Sequence, residues 1–375
     1  MTKEDIKKNI LIEYDKNKKI YLSFLLQMEN LIENLIKMQD IKVSSMNSRI
    51  KERDSLSSKI DKKQKEVSEK PKKFKYNNLS DLTDICGIRI CTFYSDDVDR
   101  IADIIEKEFV VDRENSIDKR TSIEPDKFGY LSLHYILSLP ENRLNLTENT
   151  SYKDIKFEIQ IRSILQHTWA EIEHDLGYKS AEGLPKAVRR DFSRLASLLE
   201  LADKEFLSIR NYLDDYQNDV NKNIHSTSAN KEILIDRITL NEFVKSTFFH
   251  ETFDFIVNKT NSATKKIMND VDIDQLSTAF KYLNILTIHE LRQLLEKSKL
   301  LMIHNLNTIH GEEFESANTF IVDLGVLYYS LYYKIIKDSI PAQALKEIYE
   351  ILGVTSNYEE DYSDLLHGYN SIFVD

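Results

Sequence analysis

Phe157-Glu158-Ile159-Gln160-Ile161-Arg162 alternates strictly between apolar and polar side chains. Successive side chains of a strand point to opposite faces, so Phe157, Ile159 and Ile161 form one face and Glu158, Gln160 and Arg162 the other. The apolar face marks a sheet packed on a core. The polar face sets a carboxylate, an amide and a guanidinium in a row, just before a helical pattern containing Trp169, Glu171, Glu173 and His174. Such a face is either a solvated surface or the floor of a site, and the alternation alone does not separate the two.

The chain has 375 residues, enough for two or three domains with a sizeable core. Hydrophobic residues make up 41% and charged residues 30%, with a net charge of −11. That balance excludes a disordered chain and argues against a general nucleic-acid coat, while leaving room for a local basic patch. Cys86 and Cys91 fit neither a metal clip nor a disulfide framework and read as reduced core residues. The start, Met1-Thr2-Lys3-Glu4-Asp5, lacks the apolar core of a signal peptide, and no run of about 18 apolar residues occurs. The expected location is therefore cytoplasmic, with no membrane partner.

Upstream of the opening strand, residues 4–40 carry Tyr21, Phe24, Leu25, Met28, Ile32 and Leu35 at helical spacing. The pattern reads as a packing helix, with an oligomer interface as the alternative. Lys51, Ser55 and Lys59 step by four, which places them on one helix face with Arg49 close by; two cations and a hydroxyl there could hold a polyphosphate. The lysine-rich run to Lys75 reads as a solvated loop. Ser80-Asp81 can cap a short turn, Gly87 breaks it, and residues 88–94 are β-rich. Asp84, at the turn into that strand, is either a turn-former bonded to its own backbone or a metal ligand. A helix with Val98, Ile101, Ile105 and Phe109 follows, then a polar loop over 112–128. Phe128-Gly129-Tyr130 leads into a second alternating strand, with Leu131, Leu133, Tyr135, Leu137 and Leu139 on one face and Ser132 and His134 on the other. Residues 141–153 read as a surface loop.

Downstream, Leu165, Trp169, Ile172 and Leu176 share a helix face that Gly177 closes, and Leu184-Pro185 opens a helix running to about Tyr216. The expected organisation is an N-terminal helix (1–40), a mixed domain (41–217), a polar linker (218–230) and a C-terminal region (231–375) with helical patterns only, at 240–258, 275–283, 287–303, 315–337 and 341–352. Thr287 with Glu290 is a capping box. Tyr328, Tyr329, Tyr332 and Tyr333 read as core packing, with a partner surface as the alternative.

Several chemistries are excluded. The chain has no Gly-rich phosphate loop of the common types and no Gly-x-Ser-x-Gly. Glu171 and His174 form one Glu-x-x-His, but a di-metal bundle needs a second on another helix. What remains is a set of polar residues spread over strands and turns. Asp84 and Glu158 could share Mg²⁺, the 49–59 segment supplies cations, and Tyr130 could stack on a base. Such a set suits phosphoryl or pyrophosphoryl transfer, where metal and positioning carry most of the catalysis.

The runs Asp84-Ile-Cys-Gly-Ile-Arg89, Gly129-Tyr130-Leu-Ser-Leu-His134, Glu158-Ile-Gln-Ile-Arg162, His167-Thr-Trp-Ala-Glu171-Ile-Glu-His174 and Tyr178-Lys179 resemble, in order and spacing, the synthetase domain of RelA/SpoT proteins. The resemblance implies an α+β fold, a nucleotidyltransferase-like mixed β-sheet flanked by helices, here followed by an all-α C-terminal domain. It implies transfer of the β,γ-pyrophosphate of ATP to the 3′-hydroxyl of GDP or GTP, giving AMP and ppGpp or pppGpp, with Mg²⁺ as cofactor. By motif, Arg49, Lys51, Ser55 and Lys59 hold the ATP phosphates; Asp84 and Glu158 hold the metal, with Glu158 also as base; Tyr130, His134 and Lys127 receive the acceptor; Arg89, Gln160, Arg162 and Lys179 support the site. One departure stands out: the family's Pro-Lys-x-Asn before Gly-Tyr is here Pro125-Asp126-Lys127-Phe128, an acid in the acceptor-phosphate position. Toxin-like members act instead on the 3′ end of tRNA, so tRNA is the alternative acceptor, and a catalytically weak nucleotide sensor is a third reading. No hydrolase motif is present, so no alarmone hydrolysis is expected. The further partner expected is a second copy of the chain or a regulator at the helical C-terminal region.

Overall fold

The computed structural model describes residues 3–69, 76–119, 132–178, 185–224, 233–260, 263–265, 270–308 and 320–374. Its contacts divide the chain into two compact units, Met1–Arg210 and Asn211–Asp375.

The first unit is built on a mixed sheet of β1 (Val43–Ile50), β2 (Cys86–Thr92), β3 (Val110–Val111), β4 (Ile117–Asp118), β5 (Leu133–Ser138) and β6 (Phe157–Ser163). The strand order is β1-β2-β6-β5-β3, with β4 also paired to β5. β2 and β6 run parallel at the centre, and β1 and β5 flank them antiparallel. The register sorts side chains into rows. Ile50, Cys86, Phe157 and Leu137 form one apolar row; Ser48, Ile88, Ile159 and Tyr135 form the next on the same face. This face packs on α1 (Lys3–Met38) and α3 (Asp96–Glu108) in one buried cluster. Phe157 is fully buried and meets Phe24 edge-on at 5.4 Å and Phe109 at 5.6 Å between ring centroids.

α1 is helical for the reasons its sequence states. It has no Gly or Pro, carries Glu4 and Asp5 in the first turn and Lys37 in the last, and buries Tyr14, Tyr21, Phe24, Leu25, Met28, Ile32 and Ile36. Both cysteines are buried free thiols in β2.

After β6 come α5 (Ile164–Tyr178) and α6 (Lys186–Asn223). Ser163 joins them: its Oγ accepts from Gln166 N at 3.2 Å, capping α5, and donates to Asp203 Oδ2 on α6 at 2.7 Å. Burial pushes the Asp203 carboxyl above its usual range, against the hydrogen bonds of Ser163 and Gln166. Trp169 Nε1 donates to Phe192 O at 3.1 Å. The apolar stripe expected on α5 is only partly buried, with Ile172 and Leu176 about half exposed; on α6 Phe192 is covered, while Leu195 and Leu198 are half exposed or more.

Three local expectations are corrected. Arg49 and Lys51 do not share a helix with Ser55 and Lys59. Arg49 lies on β1, and Lys51 leads from that strand into α2 (Arg53–Glu69). A register shift between Val43 and Ser45 breaks the alternation of β1, which hid the strand. Gly87 is not a breaker but sits inside β2. The short turn expected at Ser80-Asp81 is present before β2, capped by Asp81, whose Oδ2 accepts from the backbone N–H groups of Asn77 and Asn78 at 2.8 and 2.9 Å. Residues 141–153 hold a helical turn, α4 (Glu141–Leu144), and a 3₁₀ turn, Thr147–Tyr152.

In the second unit α6 runs to Asn223, so the first residues of the expected 218–230 linker are helical, because Val220 and Ile224 are buried in the core of this unit; residues 225–232 lie outside the described set. Then come α7 (Arg237–Val244), α8 (Thr247–Thr260), β7 (Ala263–Lys265), α9 (Asp270–Tyr282), α10 (Ile288–Thr308), β8 (Phe320–Val322), α11 (Asp323–Lys337), α12 (Ala342–Leu352) and α13 (Tyr358–Phe373). The reading of helices alone is corrected by the parallel pairing of β7 and β8. The single helix expected over 240–258 is two, because Ser246 Oγ accepts from Phe249 N at 3.3 Å to start α8 afresh; α7 itself begins at Asp236, which caps it through Thr239 N at 2.9 Å. Thr287 and Glu290 form the expected reciprocal cap of α10, with Glu290 Oε2 accepting from Thr287 N at 2.9 Å and Glu290 N donating to Thr287 Oγ1 at 3.2 Å. The tyrosines of α11 pack inward: Tyr332 meets Tyr329 at 5.6 Å and Tyr349 at 6.0 Å.

α13 crosses α10 at Gly368, where an added Cβ would fall 2.3 Å from Asn305 Oδ1 and 3.3 Å from the His304 ring. Asn305 is itself almost completely buried and cannot swing into solvent. Gly368→Ala is expected to destabilise the protein by about 1–3 kcal/mol through overpacking, read as a lower urea midpoint at unchanged m-value.

Candidate active site

The polar face of the sheet continues the opening strand across three neighbours. Arg49, Gly87, Glu158 and Ile136 form one cross-strand row, and Asn47, Arg89, Gln160 and His134 form the next. Arg162 on β6 stands opposite Cys91. Period-2 alternation therefore brings Arg49, Arg89, Glu158, Gln160, His134 and Arg162 onto one surface from four strands.

Glu158 is held from two sides. His134 Nδ1 lies 2.9 Å from Glu158 Oε1, and Gln160 Nε2 donates to Glu158 Oε2 at 3.0 Å. Ser132 Oγ sits 2.7 Å from His134 Nε2. A carboxylate only accepts, so His134 carries its proton on Nδ1 when neutral, and Nε2 accepts from Ser132. Burial alone would raise the Glu158 carboxyl; the hydrogen bond and charge of His134, with the Gln160 amide, outweigh it and hold it below its ordinary value. The charge of Asp84 opposes this, which places the two carboxylates within electrostatic reach.

Asp84 is the second centre. Lys51 Nζ and Lys59 Nζ both meet its Oδ2, at 2.7 and 2.6 Å. Burial pushes the Asp84 carboxyl up, but the two lysines outweigh it and the group is held below the usual carboxylate range. Its other oxygen, Oδ1, is buried with no hydrogen-bond partner. Among the described residues Asp84 bonds to the side chains of Lys51 and Lys59 and not to its own backbone, so it is not the turn-former that one reading made it.

Two clefts open over this surface. One, of about 400 Å³, is lined by Arg49, Gly87, Arg89, Glu158 and Gln160. Gly87 is its floor, since the absent side chain leaves open the row between Arg49 and Glu158. The other, of about 770 Å³, is lined by Arg49, Arg89, Lys119, His134, Arg162, Trp169 and Glu171 among others. Glu171 ties its wall together, accepting from Arg89 Nη1 at 2.8 Å and Arg162 Nη2 at 3.4 Å, while Arg162 Nη2 also reaches His167 Nδ1 at 2.8 Å. Burial, then the charges of Arg162 and Arg89, push the His167 imidazole below its ordinary value.

Of the residues singled out from sequence, Arg49, Lys51, Lys59, Asp84, Arg89, His134, Glu158, Gln160 and Arg162 are brought to the two centres and their clefts. Ser55 is exposed on α2, one turn before Lys59, and touches neither carboxylate. Lys127, Tyr130 and Lys179 lie outside the described residues. Sequence reasoning missed Asn47, Gly87, Lys119 and Glu171 as members of the site. Asn47 lies two residues before Arg49, the spacing a correctly placed β1 would have shown. Lys119 directly follows β4, and burial lowers its ammonium below the usual lysine range.

Residues 48–183 match the family model described as the region found in RelA / SpoT proteins. Two curated relatives come from Bacillus subtilis (strain 168). GTP pyrophosphokinase YwaC is 29% identical over 167 residues, covering 44% of this chain and 73% of that protein. GTP pyrophosphokinase YjbM is 29% identical over 144 residues, covering 38% of this chain and 64% of that protein. Among solved structures, small alarmone synthetase 2 of Bacillus subtilis aligns at 24% identity over 53% of this chain and 99% of its own, with a TM-score of 0.42. A GTP pyrophosphokinase family protein of Streptococcus pneumoniae aligns at 22% identity over 54% of this chain and 96% of its own, with a TM-score of 0.43. The matched span contains both carboxylate centres, and over residues 48–183 this chain is similar to the RelA/SpoT region.

Proposed function

We propose that the chain is an ATP-dependent 3′-pyrophosphokinase acting on GDP or GTP. The observation that carries the reading is the pairing of two sheltered carboxylates at one cation-rich sheet face: Asp84 under two lysines, and Glu158 fixed between His134 and Gln160. The names of the curated relatives, both GTP pyrophosphokinases, support the acceptor class.

The chemistry asks for three things, and residues are available for each. Lys51 and Lys59 can shift from Asp84 onto phosphate oxygens, since an ammonium on a flexible stem follows the denser negative charge. Arg49 and Arg89 bracket the cleft floored by Gly87 and hold the donor over the sheet. Glu158 is ionised at neutral pH, because its carboxyl is held low, and accepts the proton of the 3′-hydroxyl as that oxygen attacks the β-phosphorus of ATP. The bond from the β-phosphorus to the bridging oxygen breaks, AMP leaves, and the pyrophosphoryl group remains on the acceptor. His134, fixed by Ser132, keeps Glu158 aimed at that proton.

Magnesium fits the residues present. Asp84 Oδ1 is an unclaimed buried oxygen and Glu158 is a second carboxylate within electrostatic reach, and Mg²⁺ is commonly held by one or two carboxylates together with substrate phosphates. When bound there it would neutralise charge building on the transferred phosphates.

The direct test offers γ-labelled ATP with GDP, GTP or deacylated tRNA. Label on the guanine nucleotide is the expected result; label on tRNA alone would reassign the acceptor. The cleft has its own test. A Cβ on Gly87 meets nothing closer than 3.9 Å, so Gly87→Val folds but fills the floor between Arg49 and Glu158. Its KM for ATP should rise by about tenfold or more, the equivalent of losing ~1.4 kcal/mol of binding, with an unchanged melting temperature.

A further inference from the structure

Asp84 is bonded unevenly. Both ammonium groups crowd Oδ2, and Oδ1 is buried with nothing to bind. The three side chains are 16–30% exposed, so the cluster is sheltered but reachable. Two cations against one carboxylate leave one excess positive charge at the residue best placed to hold a divalent ion. Among the described residues no group of three or more His, Cys, Asp or Glu could hold a metal ion by itself.

We propose that Lys51 and Lys59 are an electrostatic lock on Asp84: in the nucleotide-free protein they keep a free divalent cation off the carboxylate, and they release it only when a polyphosphate replaces Asp84 as their partner. This rests on the reading of the cluster as the ATP site and specifies how that site is controlled. A bare cation entering beside Oδ1 meets two ammonium groups held 2.6–2.7 Å from the same carboxylate, and their repulsion at such range in a sheltered site cancels the attraction of Asp84 and Glu158, leaving no net pull on the ion. A triphosphate reverses the balance, because its oxygens supply several negative charges for the lysines and further ligands for the metal. Metal and nucleotide then bind with positive coupling, and by linkage each raises the affinity of the other equally. A nucleotide-free protein that excludes the metal also cannot set Glu158 and a bound cation to work on a stray hydroxyl.

The lock makes a counter-intuitive prediction: removing the cations should create a metal site. Mn²⁺ is titrated into the full-length protein without nucleotide, and the loss of the free-ion resonance is followed by electron paramagnetic resonance. The wild type should bind no Mn²⁺ at millimolar concentration. Lys51→Met/Lys59→Met, whose methionines keep the apolar stems, should bind Mn²⁺ at least about tenfold more tightly. Adding Asp84→Asn should abolish the gain. Thermal melts of all three proteins establish that each is folded. Wild-type binding as tight as that of the double variant, a folded double variant that gains nothing, or a gain that survives Asp84→Asn would each overturn the proposal. No acceptor or turnover enters this measurement, so its failure is separable from a failure of the transfer assay.

Discussion

Glu158→Gln should lower kcat by about 10²–10⁴-fold, the range expected for loss of a positioned general base, while the affinity for ATP stays within a few-fold of wild type. The substitution keeps the size of the side chain and one acceptor for the N–H of His134, so the strand and its neighbours have no steric reason to move. What it removes is the ionised carboxylate, and with it the only proton acceptor that His134 and Gln160 jointly fix. The donor cleft is bounded mainly by Arg49, Gly87 and Arg89 and should still hold ATP. Single-turnover assays alongside a nucleotide-binding titration separate the two quantities. Near-normal turnover would remove Glu158 from the chemistry.

Phe157→Ala should be the most destabilising single truncation at the site, at about 3–5 kcal/mol. Phe157 is fully buried next to Glu158, the proposed base, and it meets Phe24 of α1 and Phe109 at the end of α3 edge-on. Truncation leaves a cavity where α1, α3 and the central strand meet, and the edge-on ring contacts are lost with it. Chemical denaturation checks this through a large fall in the midpoint. A loss below ~1 kcal/mol would mean that the apolar face of β6 does not anchor the active strand.

How much of this was legible in the sequence depends on whether period and packing agreed. β6, β5 and α1 could be read because each buries one face and exposes the other, so Phe157, Tyr135 and Phe24 fall where the alternation or the helical stripe puts them. β1 could not, because its shift between Val43 and Ser45 breaks the alternation and serines dilute its apolar face. That error also moved Arg49 from strand to helix and concealed Gly87 as the floor of a cleft, a role that only cross-strand register reveals. In the second unit the break between α7 and α8 has no Gly or Pro to mark it; Ser246 marks it with a side-chain cap on α8. β7 and β8 span three residues each, too short for any periodicity. The polar row of β6 was the clearest part of the chain, since Glu158, Gln160 and Arg162 sit two apart on one strand. Glu171, half exposed on α5, could be recognised only once Arg89 and Arg162 were seen to converge on it.

The central claim is that the bond broken in ATP lies between the α- and β-phosphates. Incubation with α-labelled ATP, Mg²⁺ and GDP, resolved by chromatography against γ-labelled ATP run in parallel, reads this directly. The account predicts labelled AMP from the first and label on the guanine nucleotide from the second, in equal amounts, with both lost in Glu158→Gln. Labelled ADP with free phosphate, and no label on any acceptor, would contradict it.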